Sequence, residues 1–442
     1  MADQHSARRS PSFDMGIPNA LVEAPDLGRA SAVSLFRSRN PLAARPLPGS
    51  MKDGRRNRRA GVRERFGLAK VLQRRARDRV AQLLAMAGVH VDGDAPWDMR
   101  VHDSRVHARI VAHGSLGLGE AYMDGWWDAE DLDGFLFRVL DARLDGRVGG
   151  IDDAALYVQS KFMNLQNSLR ARVVGERHYD LGNDLFRSML GQRMVYSCGY
   201  WKNADDLDTA QEAKLDLVCR KLGLAPGMRV LDIGCGWGEA LEFAATHYGV
   251  SGVGVTISNE QAQFARDLCA GLPVEIRLQD YRELDERFDR IWSIGMFEHV
   301  GVKNYRNYFE VTRRCLADDG LNLVHTIGGN ESTNHTDPWI EKYIFPNSML
   351  PSAMQIGAAH EGLFVMEDWH NFGADYDRTL MAWRANFESA WPGLRDEYGE
   401  RFYRMWRFYL SASAATFRCR RNQLWQIVLS PNGVTQGYPS LR

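Results

Sequence analysis

The sequence lacks the features of membrane-embedded and disulfide-rich proteins. No stretch approaches the roughly 20 consecutive apolar residues that a membrane-spanning helix needs, and the N-terminus lacks the apolar core of a signal peptide. We therefore predict a cytoplasmic protein. The six cysteines are scattered and form no C-x-x-C pair, so the sequence indicates neither a disulfide framework nor a metal site.

The chain also has little net charge, because 56 acidic residues nearly balance 55 basic residues over 442 positions. The balance is uneven along the chain. Between Lys52 and Arg79 roughly a dozen basic residues face only a few acidic ones, and such a run either attracts anionic phosphates or forms a solvated tail. The run lacks interleaved aromatic residues, which argues against binding to nucleic acid.

The most informative feature that is present is the segment VLDIGCGWG at 230–238. A short apolar strand with an aspartate runs into glycines at alternate positions, Gly234, Gly236 and Gly238. Glycine lets the backbone turn sharply and approach a ligand closely. A dinucleotide site would read G-x-G-x-x-G, whereas Glu239 stands at the third glycine here. The pattern suits S-adenosylmethionine (SAM) better, and the alternative is a glycine-rich turn without a ligand.

Strand-like and helical segments alternate around this loop. This alternation predicts an α/β fold with a doubly wound, mostly parallel sheet of the Rossmann-like type. A helix is predicted over 305–316, and 424–429 is expected to close the sheet as part of a late edge hairpin. The predicted strands after the glycine loop are 251–256, 274–278, 288–294 and 321–325.

The length and composition predict a smaller helical domain ahead of the sheet. Residues 1–59 are expected to form a disordered basic extension, because they show no sustained periodicity. A helical N-terminal domain follows over 60–157, for membrane or dimer contacts. A linker is predicted over 158–175 and the catalytic domain over 176–442.

Polar residues at strand ends and in loops suggest where the chemistry takes place. Glu298 follows the fourth predicted strand and His325 ends the fifth, so both are expected at the carboxyl edge that holds the cofactor. Cys198 in YSCGYW and Tyr376 in GADYD are further candidates. Taken singly, each of the four is more simply explained as a structural residue.

An ordered series of motifs resembles the bacterial cyclopropane-fatty-acyl-phospholipid synthases, a family of class I SAM-dependent methyltransferases. The motifs are YSCGYW, VLDIGCGWG, VGVTIS, GMFEHVG, HTIG and DWHNFGADYDRTLMAW. The similarity extends through GSLGLGEAYMDGWW in the predicted helical domain and covers essentially everything after about residue 60.

The resemblance implies methyl transfer from SAM to the cis double bond of an unsaturated phospholipid, followed by proton loss and ring closure to a cyclopropane. It implies a bound bicarbonate ion as the base. The positions that match the bicarbonate site are Cys198, Glu298, His325, Tyr376 and the backbone amide of Ile327. The positions that match SAM contacts are Tyr196, Ser197, Gly234, Gly236, Thr256, Gln261, Gln279 and Asp280.

The resemblance also bears on location and assembly. A substrate inside a leaflet implies an enzyme associated peripherally with the inner face of the membrane, and a homodimer is expected. The basic run is a candidate docking element for that surface. The aromatic segment 328–362 is expected either to line the acyl channel or to form an ordered surface insertion.

Two positions depart from the pattern of the family. Glu239 stands where relatives commonly have glycine, and its charge suits a helix N-terminus but opposes the SAM carboxylate. Ser413 stands where relatives often carry cysteine. A non-catalytic phospholipid-binding relative is therefore one alternative. Another keeps SAM but methylates an amine, or stops at a methyl-branched or methylene product, and a nucleic-acid methyltransferase is a weaker third.

Overall fold

The structure is a computed structural model that describes residues 53–144, 183–346 and 348–442. Residues 61–442 form one compact unit, and residues 1–60 are a separate unit of which only the helical backbone from residue 53 is described. The first described helix thus begins inside the predicted basic extension. The rest of that extension, and the predicted linker at 158–175, lie outside the described residues.

The centre of the larger unit is a seven-stranded sheet with the order β5-β4-β3-β6-β7-β9-β8. Strands β3 to β7 pair in parallel, and β9 is antiparallel to both of its neighbours. The predicted doubly wound α/β fold is confirmed. The strands are β3 (Arg229–Ile233), β4 (Ser251–Thr256), β5 (Val274–Leu278), β6 (Phe288–Ile294), β7 (Leu316–Gly329), β8 (Val365–Asn371) and β9 (Asn422–Ser430), with a small separate pair β1 (Arg100–Val101) and β2 (Trp127–Asp128).

The predicted position of the last strand at the sheet edge is wrong. β9 lies between β7 and β8, and the edge is the unpredicted strand Val365–Asn371. Eight of the nine residues of β9 are buried, as expected for a strand covered on both faces. β8 reads VMEDWHN, and the exposure of Val365 and Met366 is typical of an edge, so its sequence carries only a weak strand pattern.

Helices cover both faces of the sheet and precede it in the chain. They are α1 (Asp53–Met86), α2 (Arg105–Met123), α3 (Leu132–Asp141), α4 (Asn183–Leu190), α5 (Leu207–Lys221), α6 (Glu239–Tyr248), α7 (Asn259–Leu268), α8 (Tyr305–Cys315), α9 (Pro338–Tyr343), α10 (Ala353–His360) and α11 (Ala374–Arg418). In the described ranges, no helix is long and apolar enough to cross a membrane.

The long element α11 is a helical hairpin. Gly399 has φ 73° and ψ 161°, which breaks the helix, and the two halves pack back on each other. Asp377 pairs with Arg418 at 2.8 Å near the open end of the hairpin, and Glu388 pairs with Arg407 at 2.9 Å nearer the bend. The hairpin brings the first half, which carries Tyr376, against aromatic residues of the second half.

The N-terminal helices pack on this hairpin and share its core. Trp127 and Phe135 are fully buried in the same apolar cluster as residues of α11, and Asp133 accepts a hydrogen bond from Arg384 at 2.8 Å. Segment 338–343 also reaches this region, since Tyr343 donates to Glu120 of α2 at 2.8 Å. The predicted boundary between helical and catalytic domains falls in the stretch that the structure does not describe.

Candidate active site

The glycine loop follows β3 at the carboxyl edge of the sheet and leads into α6. Gly234, Gly236 and Gly238 all have positive φ, at 80°, 55° and 95°, a conformation that glycine adopts without strain. A Cβ on Gly238 would lie 3.0 Å from the Cβ of Ala265, so this glycine allows close helix packing. A Cβ on Gly236 would meet no atom within 4 Å, which leaves the backbone there open to a ligand.

Predicted cofactor residues at the ends of β4 and β5 form a hydrogen-bonded group. Thr256 Oγ1 donates to Gln261 Oε1 at 3.0 Å, and the amide of Gln279 donates to the Thr256 carbonyl at 3.0 Å. Asp280 is engaged elsewhere. Its carboxylate accepts from Arg282 at 2.9 Å, a hydrogen bond that lowers the pKa of Asp280.

Tyr196 and Ser197, the other two predicted cofactor residues, are held from different directions. The Tyr196 hydroxyl lies 2.9 Å from the Tyr409 hydroxyl of α11. Ser197 is buried against α5, where its Oγ accepts from Lys214 Nζ at 2.8 Å and its carbonyl accepts from Gln211 Nε2 at 2.8 Å. Two buried polar side chains of one helix therefore fix the backbone that carries the YSC motif.

Glu298 lies in a short 3-10 turn directly after β6 and is only 6% exposed. Its Oε1 accepts a hydrogen bond from the Ile327 amide at 2.7 Å, while its Oε2 is buried without a protein partner. Burial raises the pKa of Glu298 to about 7, against the opposing effect of the Ile327 hydrogen bond. The Ile327 amide thus contacts Glu298 itself and orients this carboxyl group.

His325 lies on β7, one strand further along the edge, and is 1% exposed. Its Nδ1 is 3.3 Å from Gln426 Nε2 on the paired strand β9. With Gln426 donating, the ring proton resides on Nε2, and Nε2 is buried without a partner among the described residues. Burial holds the pKa of His325 well below its usual value, so the ring is a neutral donor.

Cys198 and Tyr376 complete the predicted catalytic group. The Cys198 thiol is fully buried. Its Sγ donates to the Gly199 carbonyl at 3.1 Å and lies 3.9 Å from Thr379 Oγ1, and burial raises its pKa well above the ordinary range. Burial likewise raises the pKa of Tyr376, and the neighbouring groups that reinforce the shift include Cys198 and Glu298. The Tyr376 phenol therefore lies within electrostatic range of both the Cys198 thiol and the Glu298 carboxyl group, and both the thiol and the phenol keep their protons.

Aromatic rings pack beside these groups, since the ring centroid of Tyr376 lies 5.9 Å from that of Trp383. The Tyr196 ring centroid lies 5.3 Å from that of Trp383 and 6.4 Å from that of Phe345. Phe345 is in turn 5.9 Å from Tyr409. Since Phe345 belongs to segment 328–362, this segment contributes to the site region as well as contacting α2.

Sequence reasoning missed several buried polar residues near the site. Gln211 and Lys214 are both 0% exposed, and their spacing places them on one face of α5. Polar residues on one helix face ordinarily indicate that this face is exposed to solvent. The sequence pattern therefore did not indicate that Gln211 and Lys214 are buried. Gln426 was missed for a similar reason, because its strand was predicted at the sheet edge.

The described residues contain no group of three or more His, Cys, Asp or Glu side chains arranged to hold a metal ion. The predicted catalytic residues comprise a carboxyl group, a neutral imidazole, a thiol and a phenol, and Glu298 and His325 belong to the ends of the neighbouring strands β6 and β7. Such a set is suited to binding a small oxyanion and to moving a proton.

A model of the family described as mycolic acid cyclopropane synthetase matches residues 166–427. The chain belongs to this family. The cyclopropane-fatty-acyl-phospholipid synthase of Escherichia coli (strain K12) is 54% identical over 357 residues, which cover 80% of this chain and 93% of that protein. The tuberculostearic acid methyltransferase UfaA1 of Mycobacterium tuberculosis (strain ATCC 25618 / H37Rv) is 33% identical over 392 residues, covering 80% of this chain and 90% of that protein.

A solved structure of the mycolic acid cyclopropane synthase CmaA1, complexed with SAH and CTAB, matches with a TM-score of 0.54. It is 34% identical to this chain and covers 59% of this chain and 97% of its own. Membership in the cyclopropane synthetase family makes the chain a SAM-dependent methyltransferase.

The residues of this family member fit SAM. Gly236 leaves an open approach to the backbone, and the N-terminus of α6 directly follows the loop. Two carboxyl oxygens, Asp232 Oδ1 and Glu239 Oε1, are buried there without protein partners. Unpartnered buried oxygens are rare in folded proteins, and a ligand that carries both positive charge and hydrogen-bond donors satisfies them.

Proposed function

We propose that the protein transfers a methylene unit from SAM to the cis double bond of an unsaturated phospholipid acyl chain and forms a cyclopropane ring. The observation that carries this proposal is the buried polar group beside the glycine loop. In it, Glu298 Oε2 and His325 Nε2 have no partner among the described residues, and the Tyr376 phenol lies within electrostatic range of Glu298 and of the Cys198 thiol. Simple methylation of an amine needs no such assembly for removing a proton from carbon.

The first requirement is to hold the cofactor and exclude water. SAM, when bound, supplies the methyl group. We assign its contacts to Gly234 and Gly236 of the loop, to the linked residues Thr256, Gln261 and Gln279, and to the YSC segment held by α5. Asp280 joins this set if its carboxylate exchanges Arg282 for a ligand hydroxyl. An alkene is a weak nucleophile, so a fixed geometry in a dry pocket provides much of the rate.

The aromatic rings supply the second requirement. Methylation of a double bond leaves positive charge on the acyl chain, and the faces of aromatic rings stabilise such a charge through their quadrupoles. Tyr196, Trp383 and Phe345 form a contiguous set of rings next to the polar group. Segment 328–362 is accordingly assigned to the lining of the acyl channel.

The third requirement is a base for the delivered methyl group. We propose that Glu298, His325, Cys198 and Tyr376 hold a bicarbonate ion, for which His325 Nε2 and the Tyr376 phenol would serve as donors, and the Cys198 thiol as a third once it leaves the Gly199 carbonyl. Glu298 Oε2 accepts the bicarbonate O–H, and the Ile327 amide keeps Glu298 in position. Bicarbonate, when bound, would supply the base for this proton, and Glu298, as the acceptor of its O–H, would favour the basic form.

The activity is tested with vesicles of cis-unsaturated phospholipid and SAM, followed by mass spectrometry of the acyl chains. We expect a gain of one CH2 together with loss of the double bond. Glu298→Gln is expected to abolish the product, whereas Glu361→Gln, a change at an exposed position, retains it. A methyl-branched chain, a retained double bond or methylation of another acceptor contradicts the proposal.

The base is tested separately by removing bicarbonate. In buffer freed of carbon dioxide, the wild-type rate is expected to fall at least tenfold and to recover when bicarbonate is added. A rate that does not depend on bicarbonate assigns proton removal to Glu298 itself, whose pKa of about 7 suits a general base.

We also propose that the basic run of residues 52–79 docks the enzyme on the anionic inner face of the membrane. Each basic residue near such a surface contributes about 1 kcal/mol. Replacing Arg55, Arg56, Arg58 and Arg59 by glutamine should weaken binding to anionic vesicles, and the difference should disappear at high salt. Equal binding of the two proteins at low salt refutes this assignment. The expected homodimer is tested by sedimentation of the full-length chain.

A further inference from the structure

One buried lysine and two buried carboxyl groups surround the start of the glycine loop. Lys214 on α5 is 0% exposed, Asp232 on β3 is 2% exposed and Glu239 at the start of α6 is 8% exposed. Lys214 lies within electrostatic range of both acids. We call these three residues the charge triad.

The members of the charge triad are not satisfied by one another. Lys214 Nζ donates to Ser197 Oγ at 2.8 Å, while Asp232 Oδ1 and Glu239 Oε1 have no hydrogen-bond partner among the described residues. Burial raises the pKa of Asp232 to about 7 and that of Glu239 well above its usual range. Each acid is therefore hard to ionise until a positive charge arrives.

The members of the charge triad are neighbours, in sequence or by hydrogen bond, of the proposed cofactor contacts. Asp232 precedes Gly234 by two residues, Glu239 directly follows Gly238, and Ser197 is a proposed cofactor contact. SAM has a net charge of about +1, from a sulfonium, an ammonium and a carboxylate group at neutral pH. Its demethylated product S-adenosylhomocysteine (SAH) lacks the sulfonium charge. With all three members ionised, the triad has the opposite net charge to SAM.

From this arrangement we propose that Lys214, Asp232 and Glu239 make the site prefer SAM over SAH, with Lys214 as a positioning residue that also holds Ser197. Asp232 and Glu239 attract the sulfonium group of SAM. SAH lacks this charge, so the attraction is lost once the methyl group has left, and product release follows transfer. Lys214 limits the excess negative charge and fixes the YSC segment. This inference rests on the proposed use of SAM, and it gives Glu239 a role that glycine at that position lacks.

The test is calorimetric titration of the purified full-length protein with SAM and, separately, with SAH. Glu239→Gln removes one negative charge at nearly constant shape and is expected to lower the ratio of SAM affinity to SAH affinity on the order of tenfold. Glu239→Gly, which also removes the charge, should lower the ratio in the same direction. Lys214→Met is expected to raise the ratio while weakening both ligands, since Ser197 loses its donor. Lys214→Arg should keep the wild-type ratio.

Lys221 provides the matched control. It lies on the same helix, its side chain is also 0% exposed, and its Nζ lies 3.0 Å from His370 Nδ1. Lys221→Met should lower stability but leave the affinity ratio unchanged. If Lys214 and Glu239 only support packing, SAM and SAH affinities change together and every variant keeps the same ratio, which overturns the inference. A wild-type protein that binds no SAM refutes the proposed function instead.

Discussion

The replacement Glu298→Gln should make the protein more stable at neutral and alkaline pH, although it removes the residue on which the proposed chemistry depends. Glu298 is 6% exposed, and its Oε1 accepts the Ile327 amide at 2.7 Å. Glutamine keeps the shape and the accepting oxygen. The replacement therefore removes mainly the ability of this buried group to ionise.

The expected size follows from the pKa of Glu298, which burial raises from 4.5 to about 7. Below pH 4.5 the carboxyl group is neutral in both the folded and the unfolded protein, and its stabilising contribution is fully present. As the pH rises through 7, the unfolded chain is already ionised and the folded protein must follow, so this contribution is lost. Between pH 5 and pH 8 the loss amounts to about 2.5 kcal/mol.

The assay is equilibrium urea denaturation of wild type and Glu298→Gln at several pH values between 5 and 8. The free energy of unfolding of the variant, minus that of wild type, should increase by about 2.5 kcal/mol across this range. Subtracting the two curves cancels the other titrating groups. Parallel curves for wild type and Glu298→Gln would show that Glu298 ionises as freely in the folded protein as in the unfolded chain.

The surroundings of single residues lead to four further predictions. Gly236→Ala should lower SAM affinity at least tenfold by calorimetry while reducing the free energy of unfolding by about 1–2 kcal/mol, because alanine is strained at φ 55° although its Cβ meets no protein atom within 4 Å; unchanged affinity would show that the cofactor does not approach there. Gly119→Ala should destabilise the fold by roughly 1–3 kcal/mol, since its Cβ would lie 2.5 Å from the Trp339 ring. Gly357→Ala, in an unobstructed helical position, should stabilise the fold by about 0.5–1 kcal/mol in urea denaturation. Equal changes in the free energy of unfolding for Gly119→Ala and Gly357→Ala would contradict the packing argument. Tyr409→Phe should lower the free energy of unfolding by about 1–2 kcal/mol, because it removes a phenol–phenol hydrogen bond of 2.9 Å; no change would mean that the remaining hydroxyl finds water.

Much of the catalytic fold is visible in local sequence patterns. The strands 251–256, 274–278 and 288–294 have the predicted bounds, because short apolar runs bounded by glycine and polar residues identify parallel strands without knowledge of their partners. The glycine loop is equally local, since its positive φ angles need glycine wherever the strand ends. Glu298 and His325 could be placed at one edge because parallel strands share the direction of their carboxyl ends.

The sheet edge shows where local patterns fail. β9 was expected at the edge but lies between β7 and β8, and β8 was not predicted at all. Whether a strand is covered on one side or two depends on residues far away in the chain. The same limitation applies to α11, where the long helical pattern hides a hairpin whose bend at Gly399 is recognised only from its backbone angles.

The sequence by itself determined the class of fold and the glycine loop and placed Glu298 and His325 at one edge of the sheet, because these depend on backbone conformation and on the direction of parallel strands. The tertiary structure decided what those residues contact. The Ile327 amide binds Glu298, Gln426 reaches His325 from the neighbouring strand, and Lys214 is buried against Ser197. The spacing of lysine and glutamine residues along a helix is the same whether that face is exposed or buried. Only the packing of distant elements determines whether such a polar side chain is solvated or faces the site.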